Sequence, residues 1–184
     1  MSAVFKREFK AYFSTPIGYI VLAAFYFFLG LYFYAIYSYG APNVENTVIA
    51  MSTVVIFTMP VLTMRLMSED RRQKVDQALL TAPVKLSSVV LGKFFAAFAV
   101  YALGYAPTVI FEIIIASKIS VNILTYLYAV LGALLLGGAL IAIGMFISSL
   151  TESSVISGIL SINASASSLV IIGLINTLLA STGT

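Results

Sequence analysis

The charged side chains of this sequence are concentrated in one polar stretch, residues 68–87, between long apolar segments. Within it, Glu69 with Arg72 and Asp70 with Lys74 form opposite-charge pairs three or four residues apart. Pairs at this spacing would meet on one face if the segment is helical, so the pattern favours some local order. The segment is suited either to docking a soluble protein or to serving as a hydrated connector, and the spacing favours neither. Its candidate contact residues are Glu69, Asp70, Arg71, Arg72, Lys74, Asp76, Leu79 and Leu80.

Two further sets of polar residues lie inside apolar segments. Glu112 is a functional candidate, because a carboxylate costs about 2.5 kcal/mol or more at the centre of a membrane. Its closeness to Ser117 favours a different interpretation, in which it sits at the outer headgroup level or pairs with Lys118. Hydroxyl side chains also recur on one helical face, where they line a pathway or, as we favour, form hydrogen bonds between helices; these are Ser157, Ser161, Ser165 and Ser168.

The composition removes most catalytic chemistry. The chain has no Cys and no His, so disulfides, thiol nucleophiles, zinc sites of the usual kind and imidazole bases are excluded. Gly92-Lys93 resembles the end of a phosphate-binding loop, but Phe94 replaces the required Ser or Thr and no Gly lies five residues earlier. We therefore expect no catalytic residue, metal or cofactor in this chain, and any ATP must act through a partner. An intramembrane enzyme would depend on Glu112 alone.

The elements that carry these residues are membrane helices. Hydrophobic residues make up 61% of the 184 and charged residues only 9%, which indicates lipid as the main solvent. We expect an all-α, polytopic membrane protein with a single transmembrane domain over residues 1–184. Residues 1–15 predict an amphipathic surface helix whose polar face carries Lys6, Arg7 and Lys10. The predicted spans cover about 17–37, 47–67, 89–117, 121–150 and 155–179, with a polar loop at 68–87.

The basic residues predict the orientation of the chain. Three lie in the N-terminal helix and six between Arg65 and Lys93, whereas only Lys118 lies on the opposite side. Cytoplasmic segments carry the excess of Lys and Arg, so the N-terminus and the polar loop are expected in the cytoplasm. This distribution explains the net charge of +3 as a topology signal, and we expect no nucleic-acid partner.

Several motifs resemble one transporter family. They are Pro60-Val-Leu-Thr-Met-Arg65, the loop from Glu69 to Val84, Val90-Leu-Gly-Lys93, and an N-terminal segment from Phe5 to Gly18. The chain resembles the type-2 ABC transporter permeases, and within them the gliding-motility-associated branch of multidrug and polysaccharide export permeases. The resemblance is specific through the loop and looser in the later spans.

This resemblance implies a permease subunit of an ATP-driven exporter in the plasma or inner membrane. Such permeases have six spans, work as dimers and pair with separate cytoplasmic subunits that bind ATP and Mg²⁺. It further implies that residues 69–80 belong to the coupling segment that meets the ATPase, and that the first and fifth spans help to form the dimer interface and conduit. The chain departs from the family at Lys74-Val75 and Gln77, where Gly-Thr and Glu are common, and in lacking a sixth span, which suggests a truncated C-terminus. The alternative is a non-transporting scaffold or assembly factor that recruits a cytoplasmic partner.

Overall fold

Six α-helices account for nearly all of the residues that the structure describes. The computed structural model describes residues 2–38, 44–64, 66, 86–116, 122–151 and 153–181. The helices are α1 (Ser2–Ser14), α2 (Pro16–Ser38), α3 (Val44–Thr63), α4 (Leu86–Ala116), α5 (Ile123–Leu150) and α6 (Ser154–Ser181). No strand occurs in these ranges. The predicted all-α class is therefore confirmed.

Four of these helices are long and apolar enough to cross a membrane. They do so over Pro16–Ala35 in α2, Asn46–Thr63 in α3, Ser87–Ala116 in α4 and Ile123–Leu150 in α5. The described side chains of α6 add a shorter apolar stretch, Ser154–Ser167. Large apolar side chains project outward from the spans, where hydrocarbon is their favourable surroundings. The chain is thus a polytopic α-helical membrane protein, as the composition predicts.

Successive helices of the bundle run in opposite directions. Helices α2 and α4 run side by side in the same direction, because Phe25 meets Tyr105 at 5.1 Å between ring centroids and Phe33 stacks on Phe111 at 4.3 Å. At the start of α5, the Tyr126 hydroxyl lies 3.0 Å from Thr108 Oγ1 near the end of α4, so α5 runs the other way. We call the end of the bundle at which α3 ends and α4 begins the loop side, because the polar loop joins α3 to α4 there.

The amphipathic helix α1 lies on the loop side, as a partner of α4 and α2. Its apolar face packs on those helices: Val4 lies against Gly92, where an added Cβ would come within 2.9 Å of its side chain. Aromatic contacts continue along this face, with Phe5 to Phe9 at 5.8 Å and Phe9 to Phe13 at 5.1 Å between ring centroids. The surface helix predicted from the sequence is thus held by protein contacts on its apolar side, and its basic residues remain exposed.

Candidate functional site at the end of helix α3

The predicted docking residues 69–80 lie outside the described residues, but both ends of their loop are described. The chain leaves α3 through Met64 and Leu66, and it re-enters the bundle at the start of α4. Helix α3 ends at Thr63, four residues before the predicted end of its span at 67. The Leu66 N–H donates to the Thr63 carbonyl at 3.0 Å in a tight turn, which ends the helical ladder.

Three other helices supply side chains to the carbonyl groups around this helix end. The last carbonyls of a helix have no partner within it. Here the Tyr12 hydroxyl of α1 donates to the Leu62 carbonyl at 3.1 Å, and Ser148 Oγ of α5 donates to the Met64 carbonyl at 3.3 Å. Lys93 Nζ of α4 donates to the Leu66 carbonyl at 2.7 Å. We call Leu62, Met64 and Leu66, together with these three side chains, the α3 junction. The α3 junction fixes the root of the loop to α1, α4 and α5.

Lys93 is the charged centre of the α3 junction. Its side chain is only 2% exposed, and Nζ lies 3.4 Å from Oε1 of Glu8. Arg7 pairs with the same carboxylate from the exposed side, at 2.8 Å. Burying an ammonium group is costly unless it is paired and hydrogen-bonded, and Lys93 meets both conditions. A cation at this position also complements the negative end of the α3 dipole.

Tyr12 stays a hydrogen-bond donor over the ordinary pH range. Burial of the hydroxyl, with a smaller contribution from the Glu8 carboxylate, raises the pKa of Tyr12 well above its usual value. The neutral phenol therefore persists, and its proton remains available to the Leu62 carbonyl.

Gly144 lets α5 approach α3 closely at this end of the bundle. A Cβ at Gly144 of α5 would collide with the Thr63 hydroxyl of α3. At Gly158 of α6, by contrast, an added Cβ would make an ordinary 3.4 Å contact with the Met64 sulfur. The lack of a side chain at Gly144 thus permits close contact between α5 and α3.

Glu112 lies at the other end of the buried face of α4. Its side chain is buried, with 6% exposure, one turn beyond Thr108, which donates to the Tyr105 carbonyl at 2.7 Å. Nineteen residues separate it from Lys93, about 28 Å along a helix, close to the roughly 30 Å of bilayer hydrocarbon. The separation of these two ionisable side chains along α4 is therefore similar to the thickness of the hydrocarbon layer. Lys118, the partner suggested for Glu112 from the sequence, lies outside the described residues. A role for Glu112 in a pathway or a helix interface stays a prediction.

The hydroxyl side chains of α6 face the interior of the bundle. Ser157, Ser161 and Ser165 are all buried, on a helix that packs against α3 and α5. Ser165 Oγ donates to the Ser161 carbonyl of its own helix at 2.8 Å. The side chain of Ser168 lies outside the described residues. A role for this face in a pathway, or in hydrogen bonding between helices, stays a prediction.

Sequence reasoning used Lys93 as a topology signal, as part of a failed nucleotide motif and as the end of a family motif, but it assigned Lys93 no contact and no role. A usable signal was present, because Lys93 lies two turns inside an apolar span, where a charged residue is a functional candidate by default. The two partners named above carry no such signal, because one is a backbone carbonyl and the other lies 85 residues earlier. Within the part of the chain that the structure describes, no three side chains suited to metal binding come together.

Comparison with known proteins identifies the family. Residues 34–182 match the family described as ABC-2 family transporter protein. No curated protein and no solved structure matches the chain significantly. The matched range runs from the last residues of α2 to the end of α6, and it includes the polar loop and most of the α3 junction. The chain therefore belongs to the ABC-2 transporter family, as a membrane permease component of an ABC transporter.

Proposed function

We propose that this chain is the permease subunit of an ATP-driven exporter, working with a second permease subunit and a separate cytoplasmic ATP-binding subunit. ATP and Mg²⁺ would be bound, and ATP hydrolysed, by that partner. The observation that carries the proposal is the family match over residues 34–182, which includes the whole polar loop. Export as the direction of transport rests on the resemblance of the loop motifs to export permeases.

The loop 68–87 is the proposed docking site for the ATP-binding subunit. Two features support this role. The loop combines charged pairs with an apolar edge, and its root is hydrogen-bonded to three helices besides α3. A displacement imposed on the loop therefore reaches the bundle directly, as a switch between inward and outward opening requires.

Co-purification tests the docking role. The tagged chain, solubilised in mild detergent from its native membrane, should retain a protein that carries a complete phosphate-binding loop. Reversing the charges at Arg71, Arg72 and Asp76 should reduce that recovery, about tenfold for each 1.4 kcal/mol of lost contact energy. Lys118→Glu is the matched control, since we place Lys118 on the opposite side of the membrane. If the variant with reversed charges recovers as much ATP-binding protein as the native chain, docking at the loop is excluded. If the native chain recovers no ATP-binding protein, the scaffold alternative is favoured.

The loop side is proposed to face the cytoplasm of a plasma or inner membrane. Nine of the ten Lys and Arg residues lie in α1 or between Arg65 and Lys93, which is the asymmetry expected of cytoplasmic segments. Because the chain has no Cys, single cysteines at Ser14 and Asn122 can be labelled without background. A membrane-impermeant maleimide should label Asn122→Cys in intact cells and Ser14→Cys only in inverted vesicles. The reverse pattern would refute this orientation.

The second permease subunit is proposed to pack on α2. This helix exposes a row of aromatic rings that includes Phe27 and Tyr34, and the resemblance places the first span at a dimer interface. Single cysteines at these two positions should form disulfide-linked dimers in membranes. Leu135→Cys, equally exposed on α5, is the control. Cross-linking at Leu135 without cross-linking at Phe27 or Tyr34 would move the interface to another helix.

A further inference from the structure

The α3 junction also joins the root of the loop to the surface helix. We propose that Lys93 and Tyr12 are positioning residues that make α1 move with the end of α3, so that α1 is a second element displaced when the loop is displaced. This role rests on the proposed function, because a docked partner supplies the displacement. The linkage itself belongs to the chain alone.

Polar side chains provide the connection between α1 and α3. Helix α1 packs along α4 and α2, whereas it reaches the end of α3 through the Tyr12 hydroxyl, 3.1 Å from the Leu62 carbonyl. Lys93 provides the second connection, because its one ammonium group bonds the Leu66 carbonyl at 2.7 Å and lies 3.4 Å from the Glu8 carboxylate. Hydrogen bonds weaken steeply when they are stretched or bent. Helix α1 must therefore follow the end of α3 or lose both connections.

Packing around the two connections leaves room for such a movement. A cavity of about 80 Å³ separates α1 and the start of α2 from the end of α3, and its walls include Glu8, Tyr12, Thr15, Ile17 and Leu62. A space of this size holds about two to three waters at about 30 Å³ each. On this flank the polar bonds therefore set the position of α1 relative to α3, because close apolar packing is interrupted there.

The charges allow this connection to be removed without leaving an isolated ion. Glu8 lies between Lys93 on the buried side and Arg7 on the exposed side. In a Lys93→Met chain, Glu8 keeps its pairing with Arg7, and the methionine fills the space of the lysine stem. Tyr12→Phe removes only a hydroxyl. The double variant therefore cuts both connections while preserving the packing of α1 on α4.

A glycine on α5 provides a way to move the end of α3 without any partner. A Cβ at Gly144 would overlap the Thr63 hydroxyl, so Gly144→Ala must push the end of α3 away from α5. Gly132 lies on the same helix with open space around its Cβ position among the described residues. Gly132→Ala is therefore the matched control, with the same chemical change and no push.

The movement of α1 can be read as a distance between two spin labels. One label goes on Lys10→Cys, on the exposed face of α1, and the other on Ile113→Cys, which is 65% exposed near the far end of α4. Val4 places α1 beside Gly92, so the labels are about 30 Å apart along α4 at 1.5 Å per residue. Pulsed electron spin resonance in lipid nanodiscs measures such distances, and the absence of native Cys makes the labelling specific.

In the otherwise native chain, Gly144→Ala should shift the Lys10–Ile113 distance, and Gly132→Ala should not. Adding Tyr12→Phe and Lys93→Met should abolish the shift, whereas Lys93→Arg alone should retain it. Tyr26→Phe is the control for the loss of a tyrosine hydroxyl away from the α3 junction. It removes a comparable 3.0 Å hydrogen bond from the Tyr26 hydroxyl of α2 to the Leu103 carbonyl of α4. A shift that survives the double variant would overturn the proposal, as would the absence of any shift with Gly144→Ala.

If the Gly144→Ala variant does not fold, the two spin labels can still test the proposal in a chain that keeps Gly144. Cutting both connections should then broaden the distance distribution, and Tyr26→Phe should leave its width unchanged. An unchanged width in the double variant would overturn the proposal. These measurements need neither ATP nor a partner, so a failure of co-purification contradicts the proposed function without deciding this result.

Discussion

Gly137 provides a sharp test of the packing between α4 and α5. A Cβ at this position would fall onto the ring of Tyr101, with Cδ1 only 2.7 Å away. That ring is 2% exposed and is held in edge contact with Phe25 and Tyr105, at 6.0 and 5.3 Å between ring centroids. Its hydroxyl donates to the Ala133 carbonyl at 2.6 Å. Gly137→Ala must therefore displace a ring that has neighbours on several sides.

The expected cost of Gly137→Ala follows from three contributions. Overpacking a filled interior costs about 1–3 kcal/mol, and a weakened Tyr101 hydrogen bond adds up to about 1 kcal/mol. The higher helix propensity of Ala returns at most about 1 kcal/mol. We therefore expect a net destabilisation of about 1–3 kcal/mol. Gly132→Ala meets open space and should be neutral or stabilising by up to about 1 kcal/mol.

Thermal unfolding in detergent, followed by circular dichroism, measures this difference. For a chain of this size, 1 kcal/mol corresponds to about 2–4 °C in Tm, so Gly137→Ala should melt about 2–12 °C below the native chain. Gly138→Ala is a second control on the neighbouring residue, where the added Cβ makes an ordinary 3.5 Å contact with Phe98. Equal melting temperatures for the Gly137 and Gly132 variants would refute the placement of Tyr101 against α5.

Further predictions concern hydroxyl groups with and without partners. Ser148→Ala should lower Tm, because it removes the hydrogen bond to the Met64 carbonyl in the α3 junction. Ser157→Ala should leave Tm unchanged or raise it, because the buried Ser157 hydroxyl has no hydrogen bond among the described residues. Tyr126→Phe removes a buried 3.0 Å bond to α4 and should cost about 1 kcal/mol; Tyr128→Phe, exposed two residues later, should cost nothing measurable. Burial, with a smaller contribution from the Glu8 carboxylate, raises the pKa of Tyr12. The neutral Tyr12 hydroxyl therefore contributes fully to the free energy of unfolding below the pKa of about 10 that a tyrosine has in the unfolded chain. This contribution is lost as the pH rises further. Between about pH 10 and 12, the free energy of unfolding should therefore fall less in the Tyr12→Phe variant than in the native chain. Denaturant unfolding of both chains at a series of pH values measures this difference.

The helices were predictable because the solvent leaves few alternatives. In hydrocarbon, the backbone must satisfy its own hydrogen bonds, so an apolar run of sufficient length indicates a helix. The amphipathic spacing in α1 was equally informative, since Phe5, Phe9 and Phe13 fall on one face and meet each other in the structure. What this spacing did not reveal is the surface that covers the face. Apolar residues have the same periodicity whether they contact lipid or α4.

The α3 junction was not predictable, because most of its partners are backbone groups. A carbonyl at residue 62, 64 or 66 has the same chemistry in every sequence, so nothing marks it as the acceptor for Tyr12, Lys93 or Ser148. Only the donors leave a trace. Lys93 was the strongest of these, as a lone ammonium within an apolar run. Its pairing with Glu8 depends on how α1 folds back onto α4, which local pattern does not specify.

The energies of these bonds determine how the bundle responds when the loop is displaced. A neutral hydrogen bond contributes about 1 kcal/mol and one to a charged group about 1.5–3 kcal/mol, so the three bonds at the α3 junction together contribute about 3.5–5 kcal/mol. Separating the end of α3 from its neighbours would lose that energy and leave Lys93 buried without its carbonyl partner. A collective shift of α1, α4 and α5 keeps all three bonds. Under the proposed function, displacement of the loop therefore favours movement of the helices together over rupture at its root.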